Sequence, residues 1–152
     1  MSIVPPSAPP GDASVEPDLW RAAVAVQQRA YAPYSNFRVG AAVRTASGAV
    51  FVGANIENAA YPQGWCAEAS ALAAMASAGE RVVDVIVTVC DGEALSTPCG
   101  GCRQKIREFA TADTVIHAAG PDGVRRTYTM EQLLPDSFGP AHLDPFRPAG
   151  PS

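Results

Sequence analysis

The sequence predicts an α/β fold, a mixed sheet with helices packed on both of its faces. Three observations carry this. Helix-like and strand-like stretches alternate through the middle of the chain. One stretch, Val82 to Cys90, is a nearly continuous apolar run rich in β-branched residues, the mark of a strand buried on both sides. The chain has 152 residues, 47% of them hydrophobic and 17% charged, which suits one globular domain with a real core.

The elements follow in order. Asp18 to Tyr31 carries apolar residues at helical spacing and should be a helix, stopped near Pro33. Arg38 to Val43 and Ala49 to Ala54 are β-prone runs around Ala46-Ser47-Gly48, which reads as a hairpin. Cys66 to Ala78 is an Ala-rich helix with Gly79 as its stop. Val82 to Cys90 is the central strand. Thr97 and Pro98 read as the N-cap and first residue of a helix that runs to about Phe109. Thr114 to Ala118 is a short strand. Thr129 and Gln132 form a capping-box pattern at the start of a short helix ending at Leu134. Read this way, the chain holds four strands and four helices. Residues 1–17 and 144–152 are rich in proline and are expected to lie loosely outside a domain spanning 18–143.

The charge balance narrows the function. A net charge of −4 argues against binding a phosphate backbone, so no nucleic-acid partner is expected. No stretch approaches the roughly 20 apolar residues of a membrane span. The start has neither a basic n-region nor an apolar h-region, so a cytoplasmic protein is expected. In a reducing compartment, the four cysteines are better read as metal ligands or redox groups than as disulfides.

Three of those cysteines have ligand-like placement. Cys99 and Cys102 are three residues apart at a helix start, so both sulfurs can reach one ion. Cys66 also begins a helix, and helix N-termini favour the thiolate. Three protein ligands would leave the fourth tetrahedral position of a zinc ion open, as catalytic sites do. The C-x-x-C alone is also compatible with a redox pair or half of a four-ligand structural zinc site. Cys90 is available as a fourth ligand but reads better as a core residue. His117 and His142 lack ligand spacing. Glu68, two residues after Cys66, is rotated well away from it and is not a second ligand. It is placed to move a proton over the open position.

These positions fit the zinc-deaminase signature of a His or Cys, any residue, then Glu, followed by P-C-x-x-C. The chain resembles the small three-cysteine class of cytidine deaminases from about Trp20 to Leu143. Further matching motifs are Ala30 to Ala41, Asn55 to Tyr61, Pro98 to Gln104 and Leu133 to Phe138. The resemblance implies a three-layer α-β-α sandwich around a five-stranded mixed sheet. It implies one zinc ion per subunit, held by Cys66, Cys99 and Cys102, with Glu68 as proton carrier. It implies hydrolytic deamination of cytidine and 2′-deoxycytidine in pyrimidine salvage. Asn55 and Glu57 match ribose-binding positions, Phe37 an aromatic lining the pyrimidine pocket, and Ala67 a position whose backbone helps recognise the base. Phe138 matches a phenylalanine that enters a neighbouring subunit's site in a homotetramer.

One departure stands out. Many members have Arg directly after the catalytic Glu, and here that residue is Ala69. Arg103, beside Cys102, is the expected substitute for the missing charge. The nearest rival activity is that of a blasticidin S deaminase. The rival of a different kind is a zinc-stabilised module without activity, which requires four protein ligands.

Overall fold

A computed structural model describes residues 17–146. Helix α1 (Pro17–Gln27) leads into the hairpin β1 (Val39–Thr45) and β2 (Val50–Ala54). Then come α2 (Ala67–Ser77), β3 (Val83–Cys90), α3 (Gly100–Phe109), β4 (Val115–Gly120), β5 (Gly123–Thr129) and α4 (Met130–Leu133). The strands form one mixed sheet in the order β2-β1-β3-β4-β5. Only β3 and β4 run parallel, joined by the α3 crossover; the other three pairings are antiparallel.

Alternation along each strand divides the core in two. Val85, Val87 and Val89 of β3 face α1, where they pack with Leu19, Trp20 and Ala23. Ile86 of β3, Ala41 and Val43 of β1 and Ile116 of β4 face the other way. They pack against Leu72 and Met75 of α2, Ile106 of α3 and Met130 of α4. Helices therefore cover both faces, as the sequence predicts, and the sheet has the five strands that the resemblance implies. Two glycines set the layer spacing. A Cβ on Gly40 would stand 2.2 Å from the Ala23 carbonyl oxygen, and one on Gly53 would stand 2.3 Å from the Ala71 amide nitrogen. Only glycine lets α1 and α2 lie this close to the hairpin.

The structure corrects three readings. Helix α1 ends at Gln27, four residues early, because Tyr31 is drawn into backbone pairing. Its N–H donates to the Asn55 carbonyl (3.0 Å), and its carbonyl accepts from Glu57 N–H (2.8 Å). Helix α3 is capped by Cys99, not Thr97, whose hydroxyl instead accepts a bond from Arg103. The run Gly123 to Thr129, left unassigned, is the edge strand β5. Its signal is present: Pro121-Asp122-Gly123 is a turn sequence between two β-prone runs, and Gly123 has a positive φ of 134°. Two local signals are met as expected. Gly79 (φ 91°) ends α2, with Gly79 N–H donating to the Ala76 carbonyl and Glu80 N–H to the Met75 carbonyl. The capping box of α4 is formed by Thr129 and Gln132.

Among the described residues no helix is long and apolar enough to cross a membrane. The proline-rich segments lie mostly outside the described residues. Within them, Pro17 opens α1 and Asp144–Phe146 form a 3₁₀ turn.

Candidate functional site

The site is built where the starts of α2 and α3 meet at the carboxyl end of β3. Cys66 is the N-cap of α2 and Cys99 the N-cap of α3, and neither side chain bonds to its own helix. Cap positions usually hold Ser, Thr, Asp or Asn oxygens that satisfy the helix N–H groups. Here the sulfurs turn toward each other instead, 3.9 Å apart. Cys102, on the first turn of α3, is buried, and all three sulfurs lie within 4.8 Å of one another. The 3.9 Å separation is far too long for a disulfide. It is close to the ~3.8 Å between two sulfurs that share a tetrahedral zinc at ~2.3 Å each. The donor set and its spacing therefore fit zinc. Among the described residues no fourth His, Cys, Asp or Glu joins the group.

Glu68 sits beside the thiols without joining them. It is 4% exposed, and its Oε2 accepts a bond from the Cys102 thiol at 3.5 Å. Burial pushes its carboxyl above the ordinary range, and the neighbouring Cys66 adds to the rise. Such a group holds a proton more readily than a solvated Glu, which is what a proton carrier needs. The metal-free thiols share their protons unevenly. Cys66 is drawn down to about 6, chiefly by the hydrogen bond from Cys102 and against the effect of burial. Cys102, as the donor and a buried thiol, is pushed strongly up. Cys90 ends β3 and is pushed up to about 12 by burial, so it stays a neutral thiol.

Cys66, Cys99 and Glu68 open onto a cavity of about 430 Å³, within the size range of small-ligand sites. Phe37, Asn55, Glu57 and Ala67 line it with Cys66, Glu68 and Cys99. These residues, drawn from four separate stretches of the sequence, thus converge on one space. Asn55 has a structural duty there. Its Oδ1 accepts from Val39 N–H (2.8 Å) and its Nδ2 donates to the Phe37 carbonyl (2.9 Å), so it clamps the strand that presents Phe37. One N–H and one lone pair of the amide remain for a ligand. The Glu57 carboxylate accepts from Tyr34 N–H (2.8 Å), Ser35 N–H (3.2 Å) and the Ser35 hydroxyl. The Ser35 hydroxyl is the main reason that this exposed carboxyl lies below its usual range.

Phe138 is not part of this cavity. It is 57% exposed and stacks on His142, with ring centroids 5.1 Å apart, while its carbonyl accepts from Gln104 Nε2 (3.0 Å). Several wall residues were not foreseen: Val39, Ile56, Trp65, Cys90, Ser96 and Thr97. Trp65 and Ile56 adjoin named residues and form an isolated bridge with each other, so adjacency was their only signal. Cys90 gives no signal, since a strand-end thiol reads as core. Arg103, the expected charge for the thiolates, is engaged elsewhere. Its Nε, Nη1 and Nη2 donate to the Pro98 carbonyl, the Leu133 carbonyl and Thr97 Oγ1, each at 2.8 Å.

Comparison with known proteins agrees with this geometry. Residues 14–118 match the family model described as the cytidine and deoxycytidylate deaminase zinc-binding region. The chain is 42% identical over 120 residues to a cytidine deaminase of Halalkalibacterium halodurans, covering 79% of this chain and 91% of that one. It is 36% identical over 110 residues to the cytidine deaminase of Mycobacterium tuberculosis, covering 72% and 79%. Among solved structures it resembles the cytidine deaminase of Burkholderia pseudomallei, with TM-score 0.75 and 40% identity over 80% of this chain and 97% of that one. The Mycobacterium leprae enzyme gives 0.69 and 38% over 78% and 96%.

Proposed function

The chain belongs to the cytidine and deoxycytidylate deaminase family, and from that premise we propose that it hydrolyses cytidine and 2′-deoxycytidine to the uridine products and ammonia. The observation that carries this is a three-thiol cluster with a buried carboxylate 3.5 Å from one sulfur, two of the thiols and the carboxylate lining a cavity of small-ligand size.

Cys66, Cys99 and Cys102 would hold one zinc ion, which when bound supplies Lewis acidity and an acidified water as nucleophile. The helix starts beneath Cys66 and Cys99 place partial positive charge at these side chains. Glu68 does the proton work. Its Oε2 takes the proton of the attacking water and returns it to N3 of the pyrimidine. A second transfer, of the proton left on the attacking oxygen, lets the 4-amino group leave as ammonia as the C4–N bond breaks. Burial raises the proton affinity of the Glu68 carboxyl, which suits it to carry a proton between these steps. Phe37 forms the wall beside the pyrimidine, and backbone groups at Ala67 meet the base. Asn55 and Glu57 take the ribose hydroxyls with the donors and acceptors that their backbone bonds leave free. In this reading the working form is a homotetramer in the cytoplasm, serving pyrimidine salvage. Phe138, exposed and outside its own cavity, completes a neighbour's site.

The deciding experiment is an ultraviolet assay of cytidine with the purified, zinc-assayed protein. Loss of the cytidine spectrum without added cofactor is expected, and zinc-loaded protein that leaves cytidine intact would remove the reading. Cytidine against blasticidin S as competing substrates separates this activity from its rival. A non-enzymatic zinc module is disfavoured by the three-ligand cluster and the open cavity. Light scattering tests the tetramer.

A further inference from the structure

We infer that Lys105 is the cation that offsets the charge of the thiolate metal site, an inference that rests on the zinc reading above. A dication held by three thiolates leaves one net negative charge. That excess makes a bound water less acidic and sits beside the buried carboxyl of Glu68. The two helix N-termini offset part of it. Ala69, next to Glu68, is buried and carries no charge. Arg103 is held by three acceptors on the approach to α3 and at the end of α4, which makes it a brace between those segments.

Lys105 is differently placed. It follows Cys102 by three residues and so projects from the same side of α3. Its ammonium lies 5.6 Å from the centroid of the Trp65 ring, whose residue immediately precedes Cys66. It also lies 3.6 Å from the point where a Cβ on Gly101, between two of the thiols, would stand. The side chain therefore leaves the α3 thiol turn and rests its charge over the aromatic residue leading into the α2 thiol. The ring face gives the ammonium a fixed seat by cation–π attraction. From that seat the charge flanks both thiol-bearing helix starts, beside Trp65 on the approach to α2 and beside Gly101 on the first turn of α3. Lys105 is exposed, so salt screens the effect. It acts through the thiolates and is a positioning residue, touching no reacting atom.

The test is zinc affinity of the full chain, by competition with a chromogenic chelator, at ~20 mM and ~500 mM NaCl. Lys105→Met is expected to bind zinc roughly 3- to 10-fold more weakly than the parent at low salt, with the gap closing at high salt. Lys105→Arg, which keeps the charge, is expected to stay within about twofold of the parent. Parent-like affinity of Lys105→Met at low salt would overturn the inference. So would a loss equal at both salt concentrations, which would mark lost packing on Trp65 rather than lost charge. A parent chain that takes up no zinc would instead overturn the underlying site, an outcome distinct from both.

Discussion

Two kinds of helix start stand side by side in this molecule. Helix α4 finishes its own N-terminus: Thr129 Oγ1 accepts from Gln132 N–H (3.3 Å), and Gln132 Oε1 accepts from Thr129 N–H (2.9 Å). Helices α2 and α3 do not. Their cap residues, Cys66 and Cys99, make no side-chain cap bond. The same backbone problem, unsatisfied N–H groups at a helix start, is closed off locally in one place and left open in two others. Where it is left open, the positive helix ends face thiols that point at one another. The difference separates a helix start that only stabilises from a pair whose cap positions, on the proposed reading, hold a metal, at a cost in stability that zinc would offset.

That contrast can be broken by mutation, and the largest effect should come from the cluster. Cys102→Ala removes one sulfur of three and leaves its partner Glu68 without the thiol donor. Metal analysis after dialysis should find no retained zinc, and turnover should fall below detection; an active, zinc-loaded variant would end the ligand assignment. Next is Glu68→Gln, which keeps the sulfurs and the shape. It should retain zinc and lose about 10²- to 10⁴-fold in kcat. A loss smaller than tenfold would take the proton-carrying role away from Glu68.

Cys99→Ser sharpens the comparison by turning an open start into a closed one. Serine is a good N-cap, so the zinc-free variant should be more stable than the zinc-free parent by about 0.5–1 kcal/mol in urea unfolding. With zinc added, the order should reverse, because only the parent gains binding energy. Zinc-free forms of equal stability would mean that Cys99 sacrifices no cap. The smallest effect is the converse experiment on α4. Thr129→Ala should cost about 1 kcal/mol of stability with zinc content and turnover unchanged. A coupled loss of activity would show that α4 does more than close off the sheet edge.

The legible part of the fold is the part with a local cause. Gly79 stops α2, Thr129 and Gln132 cap α4, and the run ending at Cys90 is the central strand. Each depends on residues within one turn or one strand. The misread parts have distant causes. Helix α1 stops at Gln27 because Asn55 and Glu57 pair with Tyr31, more than twenty residues away. The α3 cap moved from Thr97 to Cys99 because the Thr97 hydroxyl is occupied by Arg103. Strand β5 pairs with β4 as a sheet edge, where alternation is weak and only Gly123 is buried.

The candidate site divides along the same line. By itself the sequence determined which atoms are available: Cys99 and Cys102 on one side of a helix start, Cys66 with Glu68 on another, and Asn55 with Glu57 after a strand. The first two follow from helix periods, which act over a few residues, and the third from the family resemblance. Only the tertiary structure decided that Cys66 and Cys99, 33 positions apart, stand 3.9 Å from each other. It also decided that Glu68 is buried, that Asn55 divides its amide between β1 and the cavity, and that Arg103 is tied to three acceptors while Lys105 stands over Trp65. Desolvation and charge placement depend on what every neighbouring element brings to the same point, and no local spacing records that.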